Sequence, residues 1–276
     1  MSTNTSVTVI GGGKMGAGIC IAFLEREHPV TLVEANEERA LEARGRILGE
    51  LSQRGRVSET AADFIATTSA STVLPAALVI ETVPESVDLK RSVLVDAEQL
   101  VEPGGILCSN TSSLSINSLA QPLANPERFL GMHFFQPVPD TTLIELVTGD
   151  ATSESTLTSA RNWAEDVLGR DPIVVRDSPG FSTSRLGVAI GLEAMRMVED
   201  GIASADDIDK GMMLGYQHAV GPLRMTDMVG LDVRLAISEY LAREIGPRFE
   251  PPQILRDKVA AGELGQKSGR GFFDWN

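Results

Sequence analysis

Basic side chains are scarce in this sequence: 24 lysines and arginines face 38 aspartates and glutamates, giving a net charge of −14. That balance excludes a nucleic-acid partner, because phosphate neutralisation needs clustered Lys and Arg. Only three histidines occur, His28, His133 and His218, so few groups can titrate near neutrality as a base. The two cysteines, Cys20 and Cys108, sit in apolar runs without metal-ligand spacing. They read as small buried hydrophobes in a reducing compartment. No apolar stretch approaches the roughly 20 residues that span a bilayer. MSTNTSVTVI at the start enters a strand without a basic, apolar leader signal, so a cytoplasmic location away from membranes is expected. Internal repeats are absent too.

What is present is a large globular composition, 42% hydrophobic and 22% charged over 276 residues. A chain of that length exceeds the roughly 250 residues at which single cores stop growing, so two domains are expected. In the first half, short β-rich runs alternate with helical stretches, as in a parallel sheet covered on both faces. SVTVI, VTLVE, ALVIET, GILCS, FLGMHF, LIELV and PIVVR read as strands. Met15 to Glu27, Ala35 to Arg54 (ending near Gly55) and about Ser153 to Leu168 read as helices. After Asp177-Ser178-Pro179-Gly180 the strand signals stop. Ser204 then caps one helix, and Leu223 to Ile245 reads as an amphipathic pair. The expected division is 1–180, an α/β Rossmann-type doubly wound domain, and 181–276, all α.

Between the first strand and first helix stands Gly11-Gly12-Gly13-Lys14-Met15-Gly16, a G-x-G-x-x-G run. Gly11 permits a tight turn, Gly13 lets backbone N–H groups approach a pyrophosphate, and Gly16 lets helix and strand pack closely. Met15 starts the helix whose positive dipole end faces the anion. Glu34 ends the second strand. Its carboxylate suits ribose hydroxyls and repels a 2′-phosphate; with Ala35 and Asn36 following and Arg39 the one nearby cation, NAD is expected over NADP. An acid opening the next helix is the plainer role for Glu34.

His133, in GMHFFQPVP, is expected to follow a strand at the edge of the sheet, where ligands of open α/β folds collect. His28 and His218 read as packing or surface groups. Glu145 is a lone carboxylate in the apolar run LIELV and needs a partner if buried. His133 is the obvious one, since a carboxylate on one ring nitrogen fixes the tautomer; the solvent face of an edge strand is the alternative. Ser109 to Ser113 form a polar run directly after GILC, which a plain loop also explains. Arg44, Arg46, Arg54 and Arg56 form the one basic patch, equally readable as surface solvation.

SNTSSLSI, GMHFFQPVP, LIELV, DSPGF, GPLRMTDMVGLD and AGELGQKSGRGFF, spread over nearly the whole chain, resemble the L-3-hydroxyacyl-CoA dehydrogenase family of the 3-hydroxybutyryl-CoA dehydrogenase type. The resemblance implies that His133 is the catalytic base, Glu145 its orienting partner and Ser112 a hydrogen-bond donor to the substrate oxygen. It implies that Asn110, Glu85 and Lys90 lie near the nicotinamide and its ribose. It further implies an acyl chain held between the domains, Arg54 and Arg56 approaching the phosphate-bearing carrier, and a homodimer formed through the helical domain. The implied substrate is a short 3-hydroxyacyl thioester on coenzyme A or acyl carrier protein.

The sequence departs from the family at two positions. Ser184 stands where P-G-F-x-x-N-R places an active-site Asn, and Gln136 replaces the Asn of F-F-N-P. A dehydrogenase for a polar hydroxyacyl group, such as a glyceryl thioester on acyl carrier protein, is one reading of Ser184; a non-catalytic NAD-binding homologue is another. Other oxidoreductase types fit less well. Tyr216 and Tyr240 are followed four positions on by Val220 and Glu244, not by the Lys of short-chain dehydrogenases. No Lys lies between Asp177 and Asp209, where the 6-phosphogluconate-like hydroxyacid dehydrogenases carry one.

Overall fold

The computed structural model describes residues 5–56, 64–68 and 73–275; Met1 to Asn4 of the opening segment lie outside them. By its internal contacts the chain divides into residues 1–178 and 179–276.

The first unit runs β1 (Val7–Ile10), α1 (Lys14–Leu24), β2 (Val30–Val33), α2 (Glu37–Gln53), β3 (Phe64–Thr67), β4 (Ala76–Glu81), α3 (Val87–Glu98) and β5 (Val101–Ser109). It continues with α4 (Ile116–Ala120), β6 (Phe129–Phe134), β7 (Leu143–Thr148), α5 (Glu154–Asn162) and β8 (Asp171–Arg176). The eight strands form one sheet in the order β3-β2-β1-β4-β5-β6-β7-β8. From β3 to β6 every pair is parallel, whereas β7 runs antiparallel to β6 and parallel to β8. The chain reverses direction in the sheet between β1 and β4, and ligands of such sheets collect outside the carboxyl ends at that point.

Local chemistry accounts for the elements. In α2 the Asn36 side chain accepts from Arg39 N, Glu37 and Glu38 sit in the first turn, and Ala40, Ala43, Ile47 and Leu51 form the buried stripe. It ends at Gly55, whose φ of +71° suits glycine. The long helix expected over 153–168 is α5, capped by Ser153, followed by a π-type turn at Trp163–Val167. β3 was not legible beforehand. It is short, half of its residues are only partly covered, and alternation over four residues is a weak signal.

The second unit is helical: α6 (Thr183–Glu199), α7 (Ala205–Tyr216), α8 (Pro222–Val229), α9 (Leu231–Ile245) and α10 (Gln253–Ala260). Ser204 caps α7 through Asp207 N, as its sequence indicates. Gly230, at φ +105°, separates α8 from α9, dividing the amphipathic pair. Val188, Leu192, Met195, Leu223, Leu241 and Leu255 belong to its core. Among the described residues no helix is long and apolar enough to cross a membrane.

Candidate active site

The glycine run forms the β1–α1 turn. Gly11 has φ +96°, and its N–H donates to Val33 O at 2.8 Å. A Cβ on Gly16 would stand 1.9 Å from Gly11 O and 2.6 Å from Thr82 Oγ1, so only glycine lets the first turn of α1 close on the loop. Gly16 thus packs against the glycine turn and against Thr82 at β4's exit. At Gly13 a Cβ would meet nothing within 4 Å. The turn therefore presents open space where Gly13 stands, at the N-cap of α1, which is where an anion meets helix amides.

Glu34 is docked on this turn. Its Oε1 accepts from Gly12 N at 2.5 Å and its Oε2 from Ala35 N at 3.0 Å. The plainer helix-capping role belongs to Asn36 instead. A cavity of about 790 Å³ opens over the turn, with Gly11 to Met15, Glu34 and Arg39 on one side and Val83, Leu89 and Val93 on the other. Its apolar wall suits the face of a heteroaromatic ring, its glycine rim a pyrophosphate and its carboxylate a ribose diol. Thr82, not anticipated as a site residue, locks the turn by donating its hydroxyl to Gly11 O (2.6 Å).

At the carboxyl end of β4 lies a buried ionic cluster. Lys90 and Glu81 are 1% and 0% exposed and 2.7 Å apart. Glu81 also accepts from Ser109 Oγ and Val83 N, both at 2.6 Å, and Lys90 also donates to Val83 O. Burial pushes the Glu81 carboxyl above the usual carboxylate range, while the Lys90 ammonium and the other donors pull it back down. Glu85 lies 3.4 Å from Lys90. It accepts from Thr111 Oγ1 (2.6 Å), Ser112 N (3.1 Å) and Ser113 Oγ (3.3 Å), fixing the 111–113 loop after β5. Glu81 was missed, although the argument that singled out Glu145, a lone acid in an apolar strand, applies equally to ALVIET.

His133 does not follow an edge strand; it is the fifth residue of β6, with β7 and β8 beyond it. The antiparallel β6–β7 register sets His133 directly opposite Glu145, and Nδ1 lies 3.0 Å from Glu145 Oε2. Glu145 is 0% and His133 7% exposed, so the solvent-face alternative for Glu145 does not hold. Cross-strand neighbours share a face, and this pairing alone brings the two together. Asn110 Oδ1 accepts from Phe134 N at 2.8 Å, tying the Ser112 loop to the strand of His133. Met15 and Gln136 meet through Nε2···Sδ at 3.2 Å.

Other expectations fall elsewhere. His28 packs on Phe23 and Trp163 and bonds Thr5 O, a packing role. Arg54 is engaged by Glu25 (2.6 Å) and Asp140 (2.8 Å), so its charge is met within the unit. Arg46 donates to Gly12 O, while Arg44 and Arg56 are exposed. Ser184 lies in the first turn of α6, in the second unit. Cys20 and Cys108 are buried free thiols, and burial raises both well above the ordinary thiol range.

Comparison with known proteins decides the family. The family model described as "3-hydroxyacyl-CoA dehydrogenase, NAD binding domain" matches residues 6–178, and that of the C-terminal domain matches 180–275. The chain belongs to the 3-hydroxyacyl-CoA dehydrogenase family. It is 37% identical to a 3-hydroxybutyryl-CoA dehydrogenase of Mycobacterium tuberculosis over 98% of both chains. It is 36% identical to a probable 3-hydroxybutyryl-CoA dehydrogenase of Bacillus subtilis, over 98% of this chain and 96% of that one. The crystal structure of (S)-3-hydroxybutyryl-CoA dehydrogenase from Ralstonia eutropha superposes with a TM-score of 0.91 at 36% identity, covering 99% of each chain. The first unit of this 3-hydroxyacyl-CoA dehydrogenase family member is its NAD-binding domain, and the glycine turn with Glu34 fits that cofactor.

Proposed function

We propose that the protein oxidises, or in reverse forms, the 3-hydroxyl of a short 3-hydroxyacyl thioester carried on coenzyme A, with His133 as base. The observation that carries this reading is the buried His133–Glu145 pair on adjacent strands of the NAD-binding unit. Bound NAD supplies the hydride acceptor. With Glu145 accepting from Nδ1–H, the imidazole presents its other nitrogen as the proton acceptor for the substrate hydroxyl. Ser112, its amide held by Glu85, is the hydroxyl assigned to the substrate oxygen. Gly11, Gly13, Met15, Gly16 and Glu34 are assigned to NAD, and Asn110, Glu85 and Lys90 to its nicotinamide end.

Ser184 is assigned to the substrate as well, on the family pattern. Arg56 remains the candidate carrier contact near α2, since Arg54 is already paired. The same proposal places the enzyme in the cytoplasm, where its free thiols persist. It also makes the enzyme a homodimer through the helical unit, on which Leu186, Ile190, Met228, Val229 and Val233 are exposed apolar residues. The test is NADH formation with matched 3-hydroxybutyryl and 2,3-dihydroxypropionyl groups, each on coenzyme A and on acyl carrier protein. The highest kcat/KM is expected on a coenzyme A thioester. Absence of turnover with all four would overturn the reading.

A further inference from the structure

Glu81 is the last residue of β4, a central strand with β1 on one side and β5 on the other. The parallel register sets it level with Ser109 at the end of β5. Its side chain is fully buried, and the two oxygens divide their work. Oε1 accepts from Lys90 Nζ (2.7 Å) and Val83 N (2.6 Å), whereas Oε2 accepts from Ser109 Oγ (2.6 Å). Both oxygens lead to the same stretch of chain. Ser109 Oγ in turn accepts from Thr111 N at 3.3 Å. Lys90 lies 3.4 Å from Glu85 Oε2, and Glu85 Oε1 accepts from Thr111 Oγ1, Ser112 N and Ser113 Oγ. The backbone adds a third tie, since Asn110 N donates to Glu81 O at 2.8 Å.

Ser112 stands in the middle of that hold. Thr111 and Ser113 are buried and Ser112 is half-buried. Its amide is bonded to Glu85, but its hydroxyl oxygen stands 3.5 Å from Glu85 Oε1, beyond the usual length of an O–H···O bond. The backbone of Ser112 is thus fixed while its hydroxyl stays available. Stability alone does not call for such a cluster, because two well-packed apolar side chains in place of a buried ion pair serve as well or better. A carboxylate bonded towards both anchors of one loop does what an apolar pair cannot. Each hydrogen bond restrains an angle as well as a distance, so the loop is held in direction too.

We propose that Glu81 is a positioning residue of the reaction, which through Ser109 and Lys90 sets the Ser112 hydroxyl where it meets the substrate oxygen. The inference rests on the dehydrogenase reading, in which Ser112 donates to that oxygen. Glu81, sealed at 0% exposure, acts only through these neighbours.

The test uses the full chain with NAD and 3-hydroxybutyryl-CoA, and compares Glu81→Gln, Ser109→Ala and Ser112→Ala with the double variants. Glu81→Gln keeps the shape of the side chain, but its single acceptor oxygen cannot serve Lys90 and Ser109 together. It is expected to lower kcat roughly ten- to a hundredfold, the effect of misplacing a reacting group by about 1 Å. KM for the thioester stays within about twofold, since the loss falls on the transition state. Ser109→Ala leaves the Glu81–Lys90 pair in place and lowers kcat roughly three- to tenfold. In Ser112→Ala the hydroxyl is already gone, so adding either change costs less than about threefold more. A merely structural role would depress kcat by the same factor with and without the Ser112 hydroxyl. Equal factors overturn the inference, as does wild-type kcat in both single variants. Hydrogen exchange at the Ser112 amide reads the loop without turnover and is expected to quicken in Glu81→Gln and Ser109→Ala. If wild type oxidises no 3-hydroxyacyl thioester while that exchange still quickens, the dehydrogenase reading fails and the hold of Glu81 on the loop stands. Unchanged exchange in both variants overturns the inference whatever the turnover.

Discussion

Gly13 and Gly16 lie three residues apart in one turn, and the structure separates what a single methyl does at each. At Gly13 the backbone is extended, with φ −60° and ψ −170°, and an added Cβ meets nothing within 4 Å. Gly13→Ala gains about 0.4–1 kcal/mol through a less disordered unfolded chain. It loses a similar amount because alanine is a poorer N-cap than glycine. The melting temperature without cofactor is therefore expected to stay within a few degrees of wild type. The methyl does, however, occupy the approach to the α1 amides. Losing one charge-assisted hydrogen bond, about 1.5–3 kcal/mol, raises the Kd for NAD roughly ten- to a hundredfold. Gly16→Ala differs in kind. Its Cβ would lie 1.9 Å from Gly11 O and 2.6 Å from Thr82 Oγ1, so backbone must move, at a cost of about 1–3 kcal/mol or more. Both the melting temperature and NAD affinity should fall. Thermal unfolding with and without NAD, together with calorimetric titration of NAD, reads both quantities. A Gly13→Ala protein with wild-type Kd would refute the seating of the pyrophosphate on this turn, and a Gly16→Ala protein with wild-type Tm would refute the steric argument.

Three further outcomes follow from the same geometry. His133→Gln lowers kcat by roughly 10²–10⁴-fold and leaves the Kd for NAD unchanged; a variant keeping more than half of wild-type kcat means that another group is the base. Glu34→Gln weakens NAD binding and narrows the gap between NAD and NADP, because the carboxylate on Gly12 N loses its charge; an unchanged ratio of the two dissociation constants removes Glu34 from the ribose. Glu81→Ala leaves the Lys90 ammonium, 1% exposed, with only Glu85 at 3.4 Å and the Val83 carbonyl and costs up to about 3 kcal/mol. Glu81→Ala combined with Lys90→Met recovers most of that stability in denaturant titration, and a double variant no more stable than the single one contradicts the pairing.

Much of this was legible in the sequence because the information is local. Glycines that need a positive φ or a missing Cβ, a cap three residues before its amide, and a stripe at helical spacing are each specified within one turn of chain. Hence the cofactor turn, the helix α2, the Ser204 cap and the change to helices after the Asp177–Gly180 run could be read directly. The long motifs added the family, since their order and distinctiveness carry more information than any single periodicity.

Which strands neighbour which was decided by tertiary structure. His133 and Glu145 are twelve residues apart, and only the reversal of β7 against β6 sets them opposite each other; a parallel connection would have left both acid and base without each other. Glu81, Lys90 and Ser109 come from β4, α3 and β5 and meet because parallel strands align their carboxyl ends. Arg54 read as part of a basic patch, for a carrier or for plain solvation, until Glu25 and Asp140 converged on it from α1's end and the β6–β7 connection. Arg234 showed nothing in sequence, since any arginine in an amphipathic helix reads as solvated; its burial, 8% exposed with no acceptor for Nε among the described residues, is a property of the packed unit. Sequence by itself thus determined the turns, caps and helical stripes, whose physics lies within a few bonds. Tertiary structure decided the buried pairings, Lys90 with Glu81 and His133 with Glu145, because burial fixes the energy of a charge and burial exists only once distant segments have packed.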